Sequence, residues 1–258
     1  MIKNFLKEFL IFGIKQAYAC LFGGLILGII IISNYIEFVS IYRYDFIFLS
    51  ALTIQILLFL FKLETKREFL VICLFHIVGT IMEIFKTSGQ IGSWVYPENS
   101  FFHIANVPLF SGFMYASVGS YIARCWRILR FEYSNYPNTI WTVICAVLIY
   151  LNFFTHHYVW DIRIFLFIFV FIIYRKTNIY FTVTDKKRRM PLLFGFFLVS
   201  LFIWIAENIG TFSKVWLYPN QFSQWELVSF QKLGSWFLLM TISFVMVSLL
   251  HLPKKINK

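Results

Sequence analysis

Apolar runs long enough to cross a bilayer recur from one end of this chain to the other, and nothing else in it constrains the fold so strongly. Inside hydrocarbon every backbone N–H and C=O must find a partner within the protein, so such runs are expected to be helices. Composition agrees. Sixty per cent of the 258 residues are hydrophobic and 14% are charged, with 33 Phe. A soluble domain of this size sits near half apolar and a quarter charged. The reading is an all-α, polytopic transmembrane helix bundle forming a single membrane domain.

About eight spans are expected under the ~20-residue criterion, over 17–36, 45–63, 68–88, 107–125, 139–158, 161–175, 190–211 and 226–250. The sixth is short and needs thinning of the bilayer or snorkelling ends. The leading "MIKNFLKEFLIFGIK" has no small-residue cleavage site, so it reads as a retained amphipathic segment. With the N-terminus inside, 18 of the 23 Lys and Arg fall in cytoplasmic segments, which places both termini in the cytoplasm and the protein in a bacterial inner membrane. The net charge of +11 is thereby a topology signal, with membrane lipids as partners and no nucleic acid. "TNIYFTVTDKKRR" alternates like a short strand on the inner surface. The four cysteines lie in or beside apolar segments without a CxxC and read as small hydrophobes.

One sentence is written twice. "MEIFKTSGQIGSWVYPE" and "AENIGTFSKVWLYPN" each carry a glutamate, a threonine four residues later, then Trp-x-Tyr-Pro. Each follows an apolar run, and "VGSY" near Val118 echoes "LGSW" near Leu233. The pattern suggests a parallel 4+4 duplication with halves 17–130 and 138–252.

An ionisable residue inside a span is a functional hypothesis by default. His76, Thr80, Glu83 and Thr87 share one helical face, and Trp204, Glu207, Asn208 and Thr211 make the matching stripe. The threonines read as interhelical hydrogen-bonding glue. In "YLNFFTHHYVWDIR", Asn152 and His156 are four apart, as are His157 and Asp161 if the helix continues. Two chemistries fit. His156, His157 and Asp161, with Glu83 as a further donor, suit a divalent metal. Alternatively, a histidine acts as general base beside Asp161 while Arg163 binds an anion.

These strings, with "FHIVGTIMEIFKTSGQIGSWVYPE", "VPLFSGFMYASVGSYIARCWR" and "WIAENIGTFSKVWLYP", resemble the YoaT-like family of uncharacterised bacterial integral membrane proteins. The resemblance runs from about Phe69 to Ser243 and implies an inner-membrane protein without naming a reaction. A shorter similarity links the glutamate, the aromatic turn and Val107-Pro108 to polytopic carotenoid hydratases and small lycopene cyclases. It implies an acid/base enzyme acting on an isoprenoid or lipid.

The expected site therefore lies in the extracytoplasmic half. Glu83, Glu207, His76, His156, His157 and Asp161 are candidate catalytic groups. Arg163, Lys86, Trp94, Tyr96, Trp216, Tyr218, Asn152 and Asn208 are candidate substrate contacts. A proton-coupled transporter or a non-catalytic sensor or scaffold is the alternative. In this reading the cytoplasmic half holds almost no buried charge, which favours an enzyme or receptor site over a conduction path.

Overall fold

The computed structural model describes residues 2–251. Lys254, Lys255 and Lys258, counted above among the cytoplasmic cations, lie outside the described residues. The helices are α1 (Ile2–Ala19), α2 (Leu21–Ser33), α3 (Arg43–Leu60), α4 (Lys66–Lys86), α5 (Phe110–Ile128), α6 (Thr139–Thr155), α7 (Arg163–Tyr174), α8 (Leu192–Phe212) and α9 (Gln231–His251). The chain is helical, as composition required, and carries the apolar helices of a multi-pass membrane protein.

The count of about eight spans does not hold. Among the described residues four helices are long and apolar enough to cross: α3, α4, α8 and α9. A fifth exists only if α1 and α2, interrupted and bent at Cys20, are counted as one broken span. The shortfall has local causes. α7 has 12 residues, or about 18 Å of helix against a hydrocarbon core of about 30 Å. α6 stops at 17, with Asn138 capping its start through Ile140 N at 3.0 Å. α5 is long enough, but its "SGFMYASVGSYIARCWR" is rich in small residues and holds two arginines, and it fails on apolarity. A 4+4 duplication of spans needs eight of them and falls with that number.

The chain forms two compact units. One draws on Met1–Leu21, Tyr121–Leu201 and Leu233–Lys258. Its core stacks Trp126, Tyr133, Tyr174, Phe196 and Phe244, with Phe196 and Phe244 rings 5.0 Å apart. After the short hairpin β1 (His103–Ile104) and β2 (Val107–Pro108), which belongs to the other unit, the chain forms in this one an antiparallel sheet ordered β3 (Glu132–Ser134), β4 (Asn178–Thr182), β5 (Lys187–Pro191). The alternation in "TNIYFTVTDKKRR" is thus a strand, and its basic run turns back to form a second.

The other unit, Phe22–Ser120 with Phe202–Lys232, positions the repeated motif. Here α4 and α5 approach through glycine. A Cβ on Gly79 would stand 2.6 Å from the Tyr115 ring, one on Gly112 2.5 Å from His76, and one on Gly119 2.8 Å from Phe75. Each helix therefore seats its large side chains on the other's glycines, the small-residue packing that suits helices without a hydrophobic drive between them. Seating Tyr115 on Gly79 brings its hydroxyl one turn further along α4, to Glu83.

Candidate functional site

Glu83 lies in the last turn of α4 and is 4% exposed. Its carboxylate accepts three hydrogen bonds: Trp94 Nε1 at 2.8 Å and Tyr96 OH at 2.8 Å on one oxygen, Tyr115 OH at 2.7 Å on the other. The Trp-x-Tyr-Pro unit thus folds back onto the glutamate that precedes it. A buried carboxylate is costly unless its lone pairs are occupied, and here three donors converge on it. The second copy repeats the arrangement: Glu207, also 4% exposed, accepts from Tyr218 OH.

The two copies differ at tryptophan. Trp94 spends its N–H on Glu83, whereas Trp216 lays its ring on Gly210, where a Cβ would stand 2.0 Å away. Gly210 follows Glu207 by three residues, and the matching position after Glu83 is Lys86, itself buried at 5% exposure.

The copies also meet. Val95 and Leu217, the middle residues of the two Trp-x-Tyr units, form an antiparallel bridge with N–H···O distances of 2.9 and 3.0 Å. Trp94 and Tyr218 stand edge-on across it at 6.1 Å, and the Lys232 ammonium lies 4.2 Å from the Tyr218 ring centre and 5.4 Å from that of Trp94. Burial, then the Glu207 carboxylate, push the Tyr218 phenol well above its ordinary pKa, and Glu83 adds to the shift. Burial and Glu83 do the same to Tyr96.

The family of proteins described as "Protein of unknown function (DUF817)" matches residues 8–244. The chain belongs to this family. It is 42% identical over 250 residues to the "Uncharacterized protein YoaT" of Bacillus subtilis (strain 168), covering 97% of this chain and 94% of that one. No solved structure matches the chain.

In this DUF817 protein, α3 supplies a clamp that the repeat alone does not announce. Arg43, 8% exposed, donates to Glu98 Oε1 at 2.7 Å, Asn34 Oδ1 at 2.7 Å, Ser33 Oγ at 2.9 Å and the Ser213 carbonyl at 2.9 Å. Tyr44 OH donates to the Val215 carbonyl at 2.7 Å and accepts from Glu98 N at 3.3 Å. Asp45 gathers the amides of Phe101 and Phe102 with Ser100 Oγ. The first turn of α3 therefore holds the segments beside both Trp-x-Tyr-Pro units. Tyr115 and this Arg-Tyr-Asp triplet are the site residues that sequence reasoning missed. Their signal was an ionisable pair at the mouth of a span and a lone tyrosine among small residues.

The rest of the stripe on α4 is less outward-looking. Thr80 and Thr87 donate to carbonyls of their own helix, His76 O at 2.7 Å and Glu83 O at 2.8 Å, so neither bond joins two helices. The half-buried His76 packs on Phe113, and its Nδ1 has no hydrogen-bond partner. On α8, Asn208 takes Val228 N at 2.9 Å and Trp204 donates to Val228 O at 3.1 Å, so both side chains hold a loop. Thr211 accepts from Trp225 Nε1 at 3.1 Å.

His156, His157, Asp161 and Arg163 belong to the other compact unit. α6 ends at Thr155, so His157 and Asp161 are not one helical turn apart. Asp161 instead accepts from Asn152 Nδ2 at 3.1 Å and Arg163 N at 2.9 Å, and pairs with the Arg163 guanidinium at 3.0 Å. Burial would raise its pKa, but the Asn152 and Arg163 hydrogen bonds and the Arg163 charge outweigh it and hold the carboxyl below the usual aspartate range. The two histidine rings lie 4.0 Å apart, with His156 Nδ1 2.7 Å from the Asn152 carbonyl. Among the described residues no three His, Cys, Asp or Glu side chains converge as metal ligands.

Buried charge is not confined to one end. Glu64 and Glu68 are 4% and 0% exposed at the start of α4. Gln55 Nε2 and Ser120 Oγ donate to Glu64 at 2.7 and 3.0 Å. Buried charge was expected at one end of the spans only, and α4 carries it at both.

Proposed function

We propose that this protein is a membrane-embedded enzyme that moves protons to and from a lipid or isoprenoid at the Glu83–Glu207 site. The observation that carries the reading is the Val95–Leu217 bridge, because it sets two buried, tyrosine-held carboxylates in one small assembly. A pair of carboxyls in such a place divides the work of acid and base. The protonated member gives a proton to the substrate and the ionised member takes one back. Exchange with water then resets the pair, so the substrate leaves carrying solvent hydrogen. We further propose that the two glutamate-to-proline segments descend from a duplicated helix-and-turn unit. We take Glu83 to lie in the extracytoplasmic half of a bacterial inner membrane, a reading supported by basic Lys62, Lys66 and Arg67 just before and at the opposite end of α4.

The test is mass spectrometry of bound and added isoprenoids and phospholipids after incubation of nanodisc-embedded protein in deuterium oxide. Deuterium in one lipid class, lost in Glu83→Gln and Glu207→Gln, supports the reading. No incorporation above a protein-free control sinks it.

A second reading rests on the buried carboxylates at both ends of α4, Glu68 and Glu83, with the unpartnered Nδ1 of His76 between them. A proton-coupled carrier needs stations of this kind through the membrane. Its mark is a Glu83-dependent internal pH change in proteoliposomes, without deuterium in any lipid.

A further inference from the structure

α1 is amphipathic the wrong way round for a helix in water. Its apolar residues Phe5, Leu6, Phe9, Leu10 and Ile14 are 52–67% exposed. Its polar residues Glu8, Lys15 and Gln16 face inward, toward its own compact unit. Glu8 pairs with Arg188, Lys15 Nζ reaches the Thr182 carbonyl at 3.4 Å, and Gln16 Oε1 accepts from Tyr121 OH at 2.7 Å. Phe12 lies against Phe181, 5.8 Å between ring centres. Together these contacts fasten the helix to the β4–β5 hairpin, leaving more than half of each apolar side chain on the outer face uncovered.

We propose that α1 lies in the plane of an anionic lipid leaflet, its exposed stripe in the acyl boundary and the β4–β5 hairpin over the headgroups. Charge decides between lipid and a second copy as the cover. Lys7 is exposed on the helix, and Lys186, Lys187, Arg188 and Arg189 are exposed on the hairpin. Lys187 and Arg188 are matched by Glu132 and Glu8, which leaves Lys186 and Arg189 against Asp185 as the local excess. Two copies facing each other through this patch bring like charges together, whereas an anionic surface complements them. A bare apolar helix face backed by a charged, solvent-exposed layer is the form that settles in the interface, and here the β4–β5 hairpin supplies that layer. By itself α1 is too charged to cross, and it passes as a span only when joined to α2 across the bend.

The experiment places single nitroxide labels at positions 6, 10 and 14 of the full chain, with the exposed Cys20 and Cys73 replaced by alanine, in nanodiscs containing phosphatidylglycerol and phosphatidylcholine. In-plane seating gives three similar depths from oxygen and nickel-chelate collision rates. A steady gradient, about 12 Å from 6 to 14 at 1.5 Å per residue, overturns the proposal, as does dipolar broadening between labels on two copies. Alongside, Lys186→Gln and Arg189→Gln are expected each to lower the enrichment of phosphatidylglycerol over phosphatidylcholine around the protein by about fivefold. These positions are exposed, so folding is unaffected, and an unchanged enrichment also overturns the proposal.

Discussion

Val95 and Leu217 exchange both of their backbone hydrogen bonds, at 2.9 and 3.0 Å, although 122 positions separate them. This one pairing turns two distant copies of a motif into a single assembly. A hydrogen-bonded antiparallel pair has its Cα atoms about 5.5 Å apart, inside the range a disulfide spans. Val95→Cys/Leu217→Cys is therefore expected to oxidise to an intramolecular disulfide, identified by peptide mapping. Equal reactivity of both cysteines toward a maleimide after mild oxidation would falsify the pairing.

Glu83 is the acceptor for three buried or half-buried donors, so removing it and removing one donor are different experiments. Glu83→Ala strands Trp94, Tyr96 and Tyr115 at about 1–3 kcal/mol each, and a loss of about 3 kcal/mol or more is expected. Glu83→Gln keeps the volume and one acceptor oxygen, and costs clearly less. Tyr115→Phe, which removes one bond to a carboxylate, is expected to cost about 1.5–3 kcal/mol. Unfolding in detergent orders the three variants. An alanine variant as stable as the glutamine variant contradicts the network.

How much of this was readable beforehand depends on how local each signal is. The glutamates, the aromatic turns and their repetition are written within a few residues of one another, and the hydrogen bonds from Trp94 and Tyr96 to Glu83 close over 11 and 13 positions. Tyr115 reaches Glu83 from 32 positions away and Arg43 reaches Ser213 from 170, contacts that no periodicity carries. The His157–Asp161 spacing was legible only conditionally, because a four-residue spacing is a helical face only while the helix lasts, and α6 stops before His157. Span number was overcounted for a related reason. Hydropathy sees apolar length, while the lengths of α6 and α7 are set by where capping and turn residues interrupt it.

Glycine gives a sharper test of the asymmetry between the copies. Gly210→Ala places a methyl group 2.0 Å from the Trp216 ring, and the ring has to leave its seat. The expected loss is about 1–3 kcal/mol, typical of overpacking. Gly24, in α2, meets nothing within 4 Å, so Gly24→Ala is expected to gain about 0.5–1 kcal/mol from helix propensity alone. Thermal unfolding of the pair with opposite signs supports the seat. A neutral Gly210→Ala removes it.

Asp161 gives a prediction with a definite direction in pH. Its folded pKa is held below the ordinary aspartate value, so the unfolded chain binds the proton more tightly. The stability contributed by the Asn152–Asp161–Arg163 turn is therefore fully present above about pH 4, the unfolded aspartate range. It fades as pH falls through the lower, folded value. Asp161→Asn keeps the side-chain volume but loses the ion pair with Arg163. The variant is expected to be less stable than the parent at pH 6 and to converge with it near pH 3, by a modest amount because both partners are partly exposed. Paired denaturant curves across that window decide it. A gap that stays constant from pH 6 to pH 3 assigns the turn to the Asn152 hydrogen bond and backbone geometry, and takes the charge out of the account.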